Sequence, residues 1–313
     1  MSFASDIRGE LAQLVIEKDD ELLAEISGFL RVSSSISLLG GGKVGINVTT
    51  SSPAVARRYK KLIEDYFSIN LSVKITYVGN FNRGYVYTLF IDHNMRSDAI
   101  LRETGLMLVK QGNNFFTDGI YFPIVRSKRC KRAYLRGLFM GAGTMTDPSK
   151  SYHLEWKLSS PIIAEDVRKL IGTFTDLSAS IVHRKDGYIV YVKRYEYISD
   201  ILAMIGAYQA VMILENIQIE KSLVGKATRM ANCDAANTDR TIIASQQLLQ
   251  AIEKIEHNIG MEKLPPKLQE ACEVRKKHPS ATLSELGAYF DPPLKKGGVK
   301  ARMDKILMVA KEI

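Results

Sequence analysis

The chain has 313 residues, 46% of them hydrophobic, with 43 Lys+Arg against 34 Asp+Glu, a net charge of +9 and a pI near 9.3. This length and apolar content suit one large or two ordinary domains with proper cores and exclude a disordered chain; the positive balance favours a polyanionic partner without identifying it. Cys130, Cys233 and Cys272 form no C-x-x-C pair, so neither a disulfide framework nor a zinc ribbon is expected, and reduced thiols in a cytosol fit best.

The N-terminus, MSFASDIRGEL, carries charges where a signal peptide would need its apolar stretch. Asp19 or Asp20 then caps a helix predicted to run to about Arg31. Strands at Ser35 to Leu39 and Val44 to Thr49 flank the turn Gly40-Gly41-Gly42. With Lys43 this turn resembles a phosphate-binding loop only superficially, because Ser37 and Val44 stand where that motif needs glycine and a hydroxyl. Pro53 to Phe67 reads as helix, and Leu71 to Val78 and Tyr85 to Ile91 as strands joined by a turn ending at Gly84. The same order then repeats. A helix is predicted from about Lys131 to Gly141, another from Pro161 to Phe174, and a closing hairpin pairs Ser178 to Arg184 with Tyr188 to Lys193 through Asp186-Gly187.

The repetition is written into the residues. Ser51-Ser52-Pro53 and Lys61-Leu62-Ile63 recur as Ser159-Ser160-Pro161 and Lys169-Leu170-Ile171 at a constant offset. Upstream of each copy lies an apolar helical run with an embedded glycine: LLAEISGFLRV at Leu22 to Val32 and AYLRGLFMGAG at Ala133 to Gly143. Glycine inside a helix costs ~1 kcal/mol against alanine, so Gly28 and Gly137 at matched positions predict a close approach of two helix backbones. Between the copies Arg126, Lys128, Arg129, Lys131, Arg132 and Arg136 form a cationic stretch without an acid; a second DNA surface and a solvated linker are both open readings.

Ile201 to Leu214 is the longest apolar stretch, interrupted by Gln209, and is read as a buried helix because it is too short to cross the ~30 Å of bilayer hydrocarbon. Asn232, Asp234 and Asn237 with Arg229 and Arg240 make a polar island, read as a helix junction or inter-domain seam. Ile242, Leu249, Ile252, Ile255 and Ile259 then give a long helix one apolar face, a connector or dimer contact, ending at the break Gly260 to Pro266. His153 and Glu155 share a strand face and are read as a cross-strand polar pair rather than metal ligands. The tail reads as three helices: Lys267 to Lys277; a short one opened by the capping box Thr282-Leu283-Ser284-Glu285 and ending near Tyr289; and one buried through Val299, Met303, Ile306, Leu307 and Ala310, with lysines opposite. From charge alone, a DNA-reading helix and a solvated lysine face are equally open.

The paired glycine-bearing runs resemble the helices of LAGLIDADG homing endonucleases, in which two such helices pack together and each delivers an acid to a shared metal site. In this chain the matching positions are Ser33 and Ala142, which lack the carboxylates that hold a divalent ion and activate water. The GFLR run at Gly28 to Arg31, the segment Gly143 to Glu155, Asn232 to Asn237 and Asp291 to Val299 are, in this order, similar to the bacterial WhiA family, and Leu264 to Lys311 resembles the helix-turn-helix that follows the LAGLIDADG body there. The resemblance implies an α+β fold: two α-ββ-α-ββ repeats with antiparallel saddle sheets, followed by an all-α helix-turn-helix domain. Residues 1–218 would form the LAGLIDADG-like domain, with repeats at 1–110 and 124–218; 219–260 would be a helical connector and 261–313 the helix-turn-helix.

It further implies a non-catalytic DNA-binding regulator, cytoplasmic and nucleoid-associated, acting in sporulation or cell division and chromosome segregation. No cofactor, metal or membrane is expected; the partners would be double-stranded DNA, other regulatory proteins and a second copy in a homodimer. DNA would be met by Thr282, Lys295, Lys296, Gly297, Lys300, Ala301, Arg302 and Lys305, and a second surface would use Arg126, Lys128, Arg129 and Arg132. Where the family carries small hydroxyl residues near 295 and 297 and polar ones near 300 and 301, this chain has Lys295, Gly297, Lys300 and Ala301. Relaxed base preference is therefore expected, since lysine grips phosphate and glycine reads nothing. Two alternatives remain at this point: an active metal-dependent LAGLIDADG endonuclease, and a protein-interaction or chromosome-architectural scaffold.

Overall fold

The computed structural model describes residues 2–40, 43–79 and 84–313; Gly41 and Gly42 of the expected glycine turn, and the turn leading to Gly84, lie outside them. The chain divides into two compact units, Met1–Ile219 and Glu220–Ile313. The first opens with helix α1 (Phe3–Leu11) and continues through α2 (Asp19–Ser33), β1 (Ser34–Gly40), β2 (Lys43–Thr50), α3 (Pro53–Phe67), β3 (Val73–Val78) and β4 (Gly84–Ile91). A short helix α4 (Ser97–Glu103) and the hairpin β5 (Met107–Lys110) and β6 (Asn113–Phe116) lead to the second repeat. That repeat is α5 (Lys128–Ala142), β7 (Gly143–Met145), β8 (Leu154–Leu158), α6 (Pro161–Gly172), β9 (Ser180–Arg184) and β10 (Gly187–Val192). Helix α7 (Tyr195–Ile205) follows, then the long α8 (Tyr208–Asn258), α9 (Pro266–Lys277), α10 (Leu283–Leu286) and α11 (Lys296–Glu312).

The repeats have one topology: antiparallel sheets ordered β1-β2-β4-β3 and β7-β8-β10-β9. Their shared Ser-Ser-Pro motif is a helix start. Ser52 and Ser160 each accept a hydrogen bond from the backbone N–H three residues on, at 3.4 Å, and Pro53 and Pro161 occupy the first turn, where a missing N–H costs nothing. Along the strands, Ile46 faces Ile91 and Val48 faces Leu89, while Leu154 faces Val192 and Trp156 faces Val190; all eight are buried with the helices. The intervening pairs, Asn47 with Phe90, Thr49 with Thr88 and Glu155 with Tyr191, occupy the opposite faces.

Helices α2 and α5 run side by side and in parallel through this core. A Cβ at Gly28 would collide with the backbone carbonyl of Tyr134, one at Gly137 with the carbonyl of Glu25, and one at Gly141 with Ser33 and Val32. The paired glycines thus serve backbone approach, as their repetition predicted. Glu25, fully buried in α2, ties the contact to its neighbours: its Oε1 accepts from Arg58 Nε of α3 at 2.7 Å and its Oε2 from Arg136 Nε of α5 at 2.6 Å. Arg58 also donates to the Leu14 carbonyl (2.6 Å) and Arg136 to that of Ile205 (3.1 Å). Burial disfavours the charge on Arg58, but the Glu25 carboxylate more than offsets it, so the guanidinium pKa is raised.

Several local expectations are corrected. Lys18, not an aspartate, stands at the N-cap of α2, and Asp19, Asp20 and Glu21 fill its first turn, where they favour the helix dipole. α5 starts earlier than predicted because Ser127 caps it, accepting from the Cys130 N–H at 3.1 Å. In the closing hairpin Arg184 pairs with Gly187, which puts Lys185 and Asp186 at the tip, and of Asp186 and Gly187 only the glycine has positive φ (+131°). The turn is therefore not the one in which both central residues are left-handed. The apolar stretch 201–214 is two helices, because Gly206 at φ +98° ends α7. His153 and Glu155 bond to each other at 2.8 Å rather than across strands. Ile252 and Ile255 are buried with Leu268, Val299 and Ile306 in the core of the second unit, so that part of the connector face belongs to a core. No helix among the described residues is long and apolar enough to cross a membrane.

Two stability outcomes follow from the α2–α5 contact. Gly28→Ala should lower the urea midpoint: the ~1 kcal/mol gain in helix propensity is outweighed by overpacking of about 1–3 kcal/mol against a carbonyl that has no rotamer to move. A raised midpoint would contradict the contact. Glu25→Gln leaves two buried guanidinium groups without their charge partner and should destabilise the first unit by about 3–5 kcal/mol, read as loss of its denaturation transition at moderate urea; an unchanged transition would contradict the triad.

Candidate nucleic-acid interface

Ser33 and Ala142 are the last residues of α2 and α5. Because the helices are parallel, both stand at one end of the pair, with Ser33 packed against Gly141 and the first strand of each sheet beginning at the next residue. The donor set is one neutral hydroxyl plus backbone, which does not fit a divalent ion that needs several hard oxygen ligands. Among the described residues no group of three or more His, Cys, Asp and Glu side chains is placed to hold a metal.

The cationic stretch enters α5 at its other end, where Lys128 stands about 20 Å from Ala142 along a helix rising about 1.5 Å per residue, and runs inward to Arg136, about 9 Å away. Its members have separate fates. Arg136 is interior and bound to Glu25; Arg129 is paired with Asp20 (3.3 Å) and Glu21 (3.6 Å) of α2. Arg126, Lys128 and Arg132 are exposed, and the last two line a shallow pocket with Asp200 and Tyr208. The sequence showed the charges but not the acids that two of them meet.

In the second unit, α9, α10 and α11 enclose a small core with the end of α8. The Thr282 Oγ accepts from the Glu285 N–H (3.4 Å) while a Glu285 carboxylate oxygen accepts from the Thr282 N–H (2.7 Å), and these bonds hold the Glu285 carboxyl below its usual range. At buried Gly287 a Cβ would strike the Leu294 carbonyl, and the Leu294 N–H donates to the Gly287 carbonyl at 2.9 Å. This close crossing of the chain sets the turn between α10 and α11, a requirement the sequence alone did not reveal.

α11 buries Val299, Met303, Ile306 and Ala310 and exposes Lys295, Lys296, Gly297, Lys300, Ala301 and Lys305. Lys295 occupies the N-cap position without a side-chain cap, so no side chain covers the first backbone N–H groups of a 17-residue helix. A Cβ at Gly297 would meet nothing, so packing does not require that glycine. Arg302 departs from the row. It turns back to Glu270 of α9 at 2.7 Å and lies 4.9 Å from the Phe290 ring centroid, which uses its charge inside the fold. Beside the lysines the structure forms a groove of roughly 700 Å³, lined by Asn237 and Arg240 of α8, by Arg275, by Thr282 and by Lys296 and Lys300. Asn237 and Arg240, expected in a helix junction or inter-domain seam, thus line this groove, together with Arg275, which no motif marks in the sequence.

Comparison with known proteins follows these divisions. Residues 19–107 match the WhiA N-terminal LAGLIDADG-like domain, 131–223 the WhiA LAGLIDADG-like domain, and 227–310 the WhiA C-terminal HTH domain. Relatives named "Probable cell division protein WhiA" include that of Alkaliphilus metalliredigens, 37% identical over 99% of this chain and 98% of the relative, and that of Thermoanaerobacter pseudethanolicus, 36% identical over 100% and 98%. Among solved structures, full-length WhiA from Thermatoga maritima shares the fold with a TM-score of 0.59 at 24% identity, covering 100% of this chain and 99% of that one. The N-terminal LAGLIDADG domain of WhiA aligns with a TM-score of 0.51 at 22% identity over 66% of this chain and 90% of that one. The chain carries a duplicated LAGLIDADG-like fold and a helix-turn-helix domain, and it belongs to the WhiA family.

Proposed function

We propose that this protein is a DNA-binding regulator that does not cut DNA. α11 is its reading helix, and it acts in cell division, as its relatives are named, with the related tasks of sporulation and chromosome segregation. The observation that carries this reading is the exposed N-terminal end of α11, where Lys295, Lys296, Lys300 and Lys305 surround open glycines over a buried apolar face. A helix of this kind enters the major groove with its first turns toward base edges and its flanking cations on phosphates. Thr282 holds the preceding helix start. Gly297 and Ala301 offer the bases no hydrogen-bonding side chain, so affinity rests on phosphate and base preference is relaxed.

In this reading residues 1–218 are the LAGLIDADG-like body, 219–260 the helical segment leading from it, and 261–313 the reader. The body has lost its acids at Ser33 and Ala142 and serves as a platform. Arg126, Lys128 and Arg132 give it an accessory polyanion surface, and linking two weak surfaces raises avidity without new contacts. The working location is the nucleoid in the cytoplasm, with double-stranded DNA as the principal partner and other regulatory proteins or a second copy as further ones.

Titrating the full-length protein with duplex DNA across a salt series tests this. Replacing Lys295, Lys296 and Lys300 by alanine should weaken binding to every sequence alike and flatten the log–log salt slope by roughly 1 per lysine that contacts phosphate; unchanged affinity and slope would contradict the assignment. Neutralising Arg126, Lys128 and Arg132 should weaken binding to long duplexes while sparing short ones. Equal affinity for both lengths in wild type and variant would remove the accessory surface.

A further inference from the structure

The groove beside α11 contains a charge that the fold does not neutralise. Arg275 is 2% exposed, its Nη1 donates only to the carbonyls of His278 (3.4 Å), Pro279 (3.4 Å) and Ala281 (2.8 Å), and its Nε has no hydrogen-bond partner. Among the described residues no carboxylate is paired with it. Burial is the one influence on its pKa, which it lowers, and a guanidinium remains charged through such a shift. The contrast with Arg58 and Arg136, also buried and both bound to Glu25, shows how this fold otherwise treats buried arginine.

Around Arg275 the groove is rimmed by Arg240 of α8 and by Lys296 and Lys300 of α11, all exposed, with Asp304 as the single acid in its lining. Neutral donors complete the wall: the Asn237 amide from α8, and the Thr282 and Ser284 hydroxyls at the start of α10. Its volume of roughly 700 Å³ lies within the range of small-molecule pockets, about 300–1,000 Å³. Four cations, one anion and a ring of amide and hydroxyl donors match an oxyanion, and phosphate above others.

The groove also has a definite place relative to the reading face. Lys296 and Lys300 lie one turn apart on the groove side of α11, whereas Gly297 and Ala301 lie about 100° further round the helix and Lys305 further still. A helix about 10–12 Å across fills a major groove about 12 Å wide, so the phosphates pass along its flanks. With the glycine side toward the bases, one strand falls on the Lys296–Lys300 flank, and α8 stands as the far wall of the same groove.

We propose that this groove is a phosphate-binding site that clamps one backbone phosphate of the bound DNA strand between α8 and α11, making Arg240 and Asn237 DNA-contacting residues and Arg275 the fixed charge at its base. The assignment to DNA rests on the reading of α11 above; the oxyanion chemistry does not, since a free nucleotide presents the same group.

The test uses the full-length protein, the exposed-residue variants Arg240→Gln and Arg240→Lys, and Lys300→Ala as a reference, each checked by thermal melt. On duplex DNA near 0.15 M salt, Arg240→Gln should weaken binding about fivefold whatever the sequence and flatten the salt slope by about 1, and Arg240→Lys should recover most of the loss. Unaltered binding by Arg240→Gln, with Lys300→Ala impaired, would overturn the clamp while leaving the reading of α11 intact. Should wild type bind no DNA, that reading fails by itself, and titration with inorganic pyrophosphate by calorimetry decides the groove. Binding heat that vanishes in Arg240→Gln would support a site for a free phosphate compound; absence of heat in wild type would overturn it.

Discussion

The approach of α2 and α5, backbone against backbone, is the constraint on which the first unit rests. Gly28 and Gly137 permit it and nothing larger would, since the atoms a side chain would meet are peptide carbonyls. Once the helices are this close, Glu25 is sealed at their seam, and the two guanidinium groups that reach it come from α3 of one repeat and from α5 of the other. A buried ion triad is a weak source of stability but a strict rule of geometry, because any other arrangement leaves a charge unpaired in the interior. The duplication is thereby locked into one structure, with two matching sheets continuing from the two helix ends.

Those ends are where the fold and its ancestral chemistry part. In a cutting enzyme of this architecture the converging helix termini would present acids; here they present Ser33 and Ala142. The scaffold does not need a metal to hold its shape, because glycine packing and the Glu25 triad act further back along the helices. On the proposed function, loss of the carboxylates costs the chain its catalysis and not its fold, and selection can keep such a body as a platform. In that reading DNA contact is assigned to the second unit, where a helix with an open, lysine-rich start projects from its own small core.

Much of this was legible in the residues, and the reason is local physics. Ser-Ser-Pro announces a helix start wherever it occurs, the Thr282–Glu285 capping box needs only four residues, and a glycine repeated at one place in two copies implies a shared packing demand. What stayed hidden depended on partners distant in sequence. Arg136 and Arg302 look like surface cations until Glu25 and Glu270 are seen beside them, and Arg240 looks like part of a junction until α11 is folded across from it. Gly206 was buried in an apolar run whose composition concealed a left-handed helix end. The hairpin at Gly187 had the right residues one position out of register, since Arg184 pairs with Gly187 and leaves Lys185 and Asp186 at the tip.

The most direct measurement follows supercoiled plasmid with the full-length protein in magnesium and in manganese, at salt low enough for a gel shift to show the DNA bound. DNA that is retarded yet recovered fully supercoiled after protein removal is the expected result. Nicked or linear product that requires the metal and disappears with a chelator would mean that the helix ends at Ser33 and Ala142 still assemble a cutting centre, and would contradict the central claim.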